Sequence, residues 1–268
     1  MPATPATETD RIGEWVAQLQ WSDVPPACLH ALHASLQYNL ALGMAGCAPA
    51  DPAQRALRAV FRSGGRAAVW ATGEMRTATD AAALNAAAVA CTGQNDTLAC
   101  INGHLGCIVW PTVLALAQET GAVAKDIWAA AAAGYEAPAR IAGSGAGAAT
   151  RRGFRGTSVF GVFAAAAAAA RLLGLGPRCA ADALSLAAQA AGGLMQCYAE
   201  GSDEPSLQVA HAGRSGMTAA LLARQGLRCA RQVLEGPFGF WQAFAGEVPA
   251  PQSPAWQLPQ LRFKPFAG

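Results

Sequence analysis

The chain reads as an all-α protein, and three features carry that reading. Apolar residues recur at spacings of three and four along most of its length, Gly and Pro cut the pattern into segments of helical size, and only residues 65–78 have strand character. With 268 residues, 53% of them hydrophobic, the chain has the material for one large buried core.

In chain order, Ile12, Trp15, Val16 and Leu19 fall at i, i+3, i+4 and i+7 behind a Thr- and Asp-rich start, the spacing of an amphipathic first helix. Leu29, Leu32, Leu36 and Leu40 continue the helical spacing after Pro25-Pro26. Residues 65–78, with Val69, Trp70 and Thr72 ahead of Gly73, predict at most one short β-hairpin. Helical patterns follow over 81–89, 108–119, 126–141, 158–172, 177–191 and 208–225. Several are hydrophobic nearly all round, the alanine run 164–170 most of all, which predicts closely approaching axes in the middle of a pack. No period repeats, so the chain is one domain over residues 1–247 rather than a repeat array. The remainder, 248–268, is a Pro-rich tail closing on Leu261-Arg262-Phe263-Lys264-Pro265-Phe266.

Charge excludes some partners. Only 13% of residues are charged and the formal net charge is +2, so no strong field recruits nucleic acid or a membrane surface. The longest uncharged apolar run, about 159–170, is too short to span a bilayer, and the start lacks the basic-then-apolar layout of a signal peptide. Eight cysteines without a C-x-x-C spacing fit a reducing compartment, where a thiol packs as a small hydrophobe. A cytoplasmic location is the expectation. His30 and His33 lack the acidic companions of a di-iron or zinc helix, and Gly143-Ser144-Gly145-Ala146-Gly147 has no following Gly-Lys, so neither metal nor cofactor is expected.

Chemistry concentrates in two segments. His104 sits in Asn102-Gly103-His104-Leu105-Gly106, a glycine-bounded loop ahead of a helix, eight residues after Asp96 and seven after Thr97. A loop histidine so placed is a candidate acid or base. Asn95-Asp96-Thr97 is also good turn chemistry, so Asp96 and Thr97 read equally as pocket residues or as a cap. Arg151, Arg152 and Arg155 precede Gly156-Thr157-Ser158 at the start of a helix, and amides, hydroxyls and guanidinium groups together make a cradle for a carboxylate or phosphate. The alternative is a solvated arginine cluster. Arg214, in Ala212-Gly213-Arg214-Ser215-Gly216, is a further candidate anion binder, and Lys264 is one of only two lysines.

Taken in order, Asn85, Asp96-Thr97-Leu98, the His104 loop, the 151–160 segment and the Arg214 motif resemble the MmgE/PrpD family, known for 2-methylcitrate dehydration, cis-aconitate decarboxylation and iminodisuccinate epimerisation. The resemblance implies a helical domain that forms homodimers, a small carboxylate substrate, and proton transfer beside a carboxylate without a cofactor. It implies catalytic roles for His104, Asp96, Thr97 and Lys264, with Arg155, Thr157, Ser158 and Arg214 on the substrate. Without the family's smaller lid domain behind it, Lys264 is expected to be loosely held. The sequence also departs from the pattern: Ala90, Gly93 and Asn95 stand where ionisable groups are usual, Arg155 where a histidine is, and Pro205 near where a lysine is expected. These departures keep open a catalytically degenerate helper or binding module, or one half of a split enzyme whose partner chain supplies the lid.

Overall fold

A computed structural model describes residues 6–46, 51–61, 64–249 and 255–264. Its first helix, α1 (Glu8–Gln18), opens with a capping box: the Asp10 amide donates to Thr7 Oγ1 at 3.0 Å, and the Thr7 amide to Asp10 Oδ2 at 3.3 Å. Then come α2 (Pro26–Gly46), α3 (Pro52–Val60), the two-residue strands β1 (Ala67–Ala68) and β2 (Met75–Arg76), and α4 (Ala78–Cys91). Next are α5 (Gly106–Thr120), α6 (Ala124–Ala142), α7 (Ala146–Arg151), α8 (Gly156–Leu172) and α9 (Pro177–Ala188). The last are α10 (Gln196–Glu200), α11 (Glu204–Arg224) and α12 (Phe240–Ala245). The all-α expectation holds. The strands pair antiparallel, Ala67 opposite Arg76 and Ala68 opposite Met75, inside the segment read as a hairpin.

The core forms around α8, where every residue from Gly156 to Arg171 is buried. Helices α11, α6, α5 and α9 pack around it, and α4 lies across α11, α5 and α2. Small side chains make this possible. A Cβ at Gly216 of α11 would stand 2.3 Å from the Val162 carbonyl oxygen of α8, so these backbones meet only because one residue has no side chain. The alanine run supplies the matching flat surface, as its all-round hydrophobicity predicts.

Helix α3 has no counterpart in the periodicity reading. Its signal is at its start instead, where the Gln54 amide donates to Asp51 Oδ1 at 2.7 Å and Pro52 takes the first helical turn. Asn85 belongs to the fold rather than to a site: its Oδ1 accepts from the Trp70 amide at 2.8 Å and its Nδ2 donates to the Ala68 carbonyl at 3.0 Å, which fastens the hairpin to α4.

Residues 255–264 run back over the helices. Trp256 packs edge-on to Trp15 of α1, and the amides of Gln257 and Leu258 both donate to Glu136 Oε1 of α6 at 2.7 Å. Arg140 closes the other Glu136 oxygen at 2.9 Å, so that buried carboxylate is fully engaged. Arg262 then bridges Thr97 antiparallel. Cys47, and Pro265 and Phe266 of the closing segment, lie outside the described residues. Among the described residues no helix is long and apolar enough to cross a membrane, and no three His, Cys, Asp or Glu side chains gather as a metal set.

Candidate functional site

The loop between α4 and α5 is pressed onto the start of α8. Leu98 and Gly103 form an antiparallel bridge, with Asn102 in the left-handed region at φ 49° between them. That conformation is tolerated by Asn better than by most non-glycine residues. A Cβ at Gly103 would stand 2.9 Å from the Thr157 nitrogen, and one at Gly156 would stand 2.4 Å from the Ile101 oxygen. Two facing glycines therefore set the closeness of loop and helix.

This seat fixes His104. Its amide donates to Thr157 Oγ1 at 3.1 Å, and its ring Nδ1 lies 2.6 Å from the Asp96 carbonyl oxygen and 3.2 Å from Thr97 Oγ1. A carbonyl has no proton to give, so Nδ1 carries the hydrogen, and in the neutral ring the lone pair is on Nε2. Among the described residues Nε2 makes no hydrogen bond. Burial pushes the imidazole below the ordinary histidine value; the Asp96 contacts oppose this, and the charges of Lys264 and Arg155 push further down. His104 is thus a neutral ring with one free basic nitrogen.

Asp96 turns its carboxyl group away from the cleft. It is fully buried, and its Oδ1 accepts from the Gly106 amide at 3.1 Å. Its Oδ2 meets Tyr135 OH at 2.6 Å, Ser35 Oγ at 3.0 Å and Asn39 Nδ2 at 3.4 Å. Burial raises its proton affinity, and the hydrogen bonds from Tyr135, Ser35 and Gly106 only partly offset that.

On the facing side, Arg155 precedes α8, 6% exposed. Its Nη1 donates to the Pro205 carbonyl at 2.7 Å and to Gln208 Oε1 at 3.3 Å, and its guanidinium lies 5.4 Å from the Tyr198 ring centre. Two of the positions expected to depart from the family pattern, Arg155 and Pro205, touch each other. Lys264 completes the rim. Contrary to the expectation of a loose tail, its Nζ donates to the Gly93 carbonyl at 2.8 Å, its own carbonyl accepts from Tyr38 OH at 3.0 Å, and the neighbouring bridge holds Arg262 to Thr97 at 2.7 and 3.0 Å.

Between these walls lies a cleft of about 520 Å³. His104, Arg155, Thr157 and Lys264 line it, with Asn95, Tyr198 and the acidic Asp51 and Asp203. Ala90 and Gly93 also face it, two positions where the resemblance led to the expectation of ionisable groups. The volume suits a small metabolite rather than a polymer.

Two further candidates lie elsewhere. Ser158 is buried, donates to the Arg155 carbonyl at 3.2 Å, and lines a separate cavity with Gln208 and His211. Arg214 pairs with Asp80 at 2.9 Å and lies over the Phe61 ring, outside the cleft lining. Sequence reasoning passed over Tyr135, Ser35, Tyr38 and Tyr198. The available signal was rarity: the chain has three tyrosines, and all three touch this region.

Residues 10–252 match the MmgE/PrpD N-terminal domain. The chain is 29% identical over 241 residues to a cis-aconitate decarboxylase-like protein of Aspergillus oryzae, covering 86% of this chain and 50% of that one. It is 28% identical over 239 residues to a cis-aconitate decarboxylase of Aspergillus terreus, covering 86% and 48%. The chain thus spans about half the length of the curated relatives it matches.

Proposed function

Because the chain belongs to the MmgE/PrpD family, we propose that it carries the base and part of the anion-binding groups of a cofactor-independent lyase or isomerase acting on a small polycarboxylate. The observation that carries this reading is the neutral His104, with Nδ1 committed to the Asp96 carbonyl and Nε2 free at a cleft that also holds Arg155 and Lys264. A proton on carbon beside a carboxylate leaves with its bonding electrons delocalised toward that carboxylate, so the transition state gains negative charge. Arg155 and Lys264 stabilise that charge, Thr157 helps to hold the base, and Nε2 takes the proton. Loss of the neighbouring hydroxyl group as water, or return of the proton to the other face, then separates dehydration from epimerisation; in decarboxylation carbon dioxide leaves in place of the proton, and the imidazolium form of His104 delivers a proton to the carbon it vacates.

The test is proton NMR of the full chain in D₂O with methylcitrate, citrate, cis-aconitate and iminodisuccinate. Deuterium uptake, alkene or decarboxylated product, or epimer formation is expected with at least one of them. His104→Gln should cut it by about 10²- to 10⁴-fold while the protein stays folded. Retained turnover in that variant sinks the assignment of the base.

The bare wall at Ala90 and Gly93, together with the Arg155 to Pro205 contact, favours a second reading, in which the chain binds a carboxylate as a helper subunit or as half of a split enzyme completed by a lid-bearing chain. Substrate binding without turnover, restored by a co-purifying second chain, would select it. A homodimer through the helical domain belongs to either reading, and light scattering at micromolar concentration tests it.

A further inference from the structure

Residues 262–264 meet the 93–97 segment at three successive points. Thr97 and Arg262 exchange both backbone hydrogen bonds, at 2.7 and 3.0 Å. Two residues further on, Tyr38 OH of α2 reaches the Lys264 carbonyl at 3.0 Å and, more closely, the Gln94 carbonyl. Lys264 Nζ then donates to the Gly93 carbonyl at 2.8 Å. The order is that of an antiparallel pair, yet the bridge is a single residue pair, and so short a pairing does not hold by itself. Beyond Arg262 the course of the backbone is set from outside, by Tyr38.

The phenol has one proton and two carbonyl oxygens before it, so that proton is shared between Gln94 and Lys264 in a three-centre bond. Its ring packs edge-on to Phe263, with the ring centres 5.1 Å apart. One side chain from α2 thus ties Phe263 and Lys264 to the loop.

The consequence lies at the ammonium group. A lysine stem loses more rotamer freedom on fixing than almost any other side chain, and a ligand that had to order it would bind more weakly. Here the fold orders it beforehand. The acceptor at Gly93 is a carbonyl, which orients the charge without cancelling it. The same stretch of chain also carries the Asp96 carbonyl, 2.6 Å from His104 Nδ1, so cation and base are both registered on residues 93–97.

We propose that Tyr38 is a positioning residue for Lys264: it latches residues 263 and 264 onto the His104 loop, so that cation and base meet a ligand in one fixed register. Tyr38 stands behind the cleft lining rather than in it, and acts through Lys264. The part that concerns a ligand rests on the cleft binding a carboxylate; the latch itself does not.

The latch is tested first without ligand. The chain has two lysines, Lys125 and Lys264, and Lys125 is exposed. In full-length protein carrying ¹³C-labelled lysine, the Lys264 signal is the one lost in Lys264→Met. It should stand apart from that of Lys125 in the parent and collapse toward it in Tyr38→Phe, which keeps the ring and removes only the hydroxyl. Should that variant fail to fold, Phe263→Ala, at an exposed side chain of the same strap, should move the signal the same way. A Lys264 signal that already matches Lys125 in the parent, or that stays in place in the folded variant, overturns the proposal.

His104 supplies a second readout. The charged groups acting on its ring are Lys264, Arg155 ahead of α8 and Asp96 from its own loop, and the charge of Lys264 pushes its titration down. Once Tyr38→Phe frees Lys264, the titration should rise, as it should in Lys264→Met, and the double variant should show no further rise. Additive rises would mean that Tyr38 acts on His104 by another route, and would reject the positioning role.

Citrate joins the latch to the cleft. By calorimetry its affinity should fall by about two- to tenfold in Tyr38→Phe, the worth of one hydrogen bond, and the same substitution should change nothing once Lys264 is replaced by Met. A loss that persists in the Lys264→Met background overturns the role assigned to Tyr38. A Lys264 signal that collapses in Tyr38→Phe, in a protein that binds no citrate, would leave the latch standing and remove Lys264 from the proposed function.

Discussion

The wall of the cleft that carries His104 is held mainly by backbone groups, and the wall that carries Arg155 mainly by side chains. On the first, the Leu98 to Gly103 bridge, the Gly106 amide on Asp96, the Asp96 carbonyl on Nδ1 and the fit of Gly103 against α8 leave the imidazole little freedom. On the second, Arg155 reaches Pro205 and Gln208 through a flexible stem, Gln208 in turn reaches the Leu194 carbonyl, and Tyr198 is half exposed beneath the guanidinium. A proton-transfer group needs placement within a fraction of an ångström, while an anion-binding group tolerates several poses of its ligand. The difference teaches where to look for each property: reaction class on the loop wall, ligand choice on the arginine wall.

The largest expected effect comes from separating the loop from α8. Gly103→Ala places a methyl group 2.9 Å from the Thr157 nitrogen and 3.1 Å from the Gly156 carbonyl carbon, where only backbone can yield. Overpacking of this kind costs about 1–3 kcal/mol. A shift of His104 by about 1 Å would lower turnover by about 100-fold. Denaturant unfolding and the D₂O exchange assay measure the two together. Wild-type stability and turnover in this variant would mean that the loop is not seated by its glycine, and the contrast between the walls would lose its basis.

A middling effect is expected on the other wall. Arg155→Met keeps the length of the stem but removes the cation and its bonds to Pro205 and Gln208. Carboxylate binding should weaken by about ten- to a hundredfold, since a hydrogen bond to a charged group is worth about 1.5–3 kcal/mol. The acid limb of kcat/KM should move upward, because the lost positive charge no longer disfavours His104 imidazolium. A rise in KM with an upward limb places Arg155 on the ligand and near the base; an unchanged KM with an unchanged limb removes it from both roles.

The same contrast explains what the sequence made legible. Helices such as α5, α6 and α8 announce themselves because a buried helix in a pack must be apolar on most faces, and their spacing survives without knowledge of their neighbours. Helix α3 was missed because its evidence was a cap, Asp51 with Pro52, rather than a long period. His104 was found because a histidine between glycines on a loop has few structural reasons to be there. Tyr135, Ser35 and Asn39 were not found, since each sits in a helix whose pattern accounts for it already, and only the packing of α2 and α6 around the loop brings them to Asp96. Lys264 was placed near the cleft by resemblance, but its anchorage by Tyr38 and the Thr97 to Arg262 bridge depends on contacts more than 100 residues apart in the chain, which periodicity does not encode.

The smallest effect on binding and turnover is expected at Arg214, and it sharpens the boundary of the site. Its side chain is 48% exposed, it pairs with Asp80 near the start of α4, and it rests on Phe61 of the α3 segment rather than on any residue lining the cleft. The arginine end of the pair is open to solvent but the Asp80 side chain is only 9% exposed, so losing the cation leaves a nearly buried carboxylate unpaired and costs about 1–3 kcal/mol. Asp80 keeps its place in the first turn of α4 through Thr77, whose hydroxyl accepts from the Asp80 amide at 3.3 Å. Arg214→Gln should therefore lower stability by about 1–3 kcal/mol and leave KM and turnover where they are. A raised KM at unchanged stability would carry the anion-binding surface from Arg155 across α11 to Arg214 and give the arginine wall a second cation.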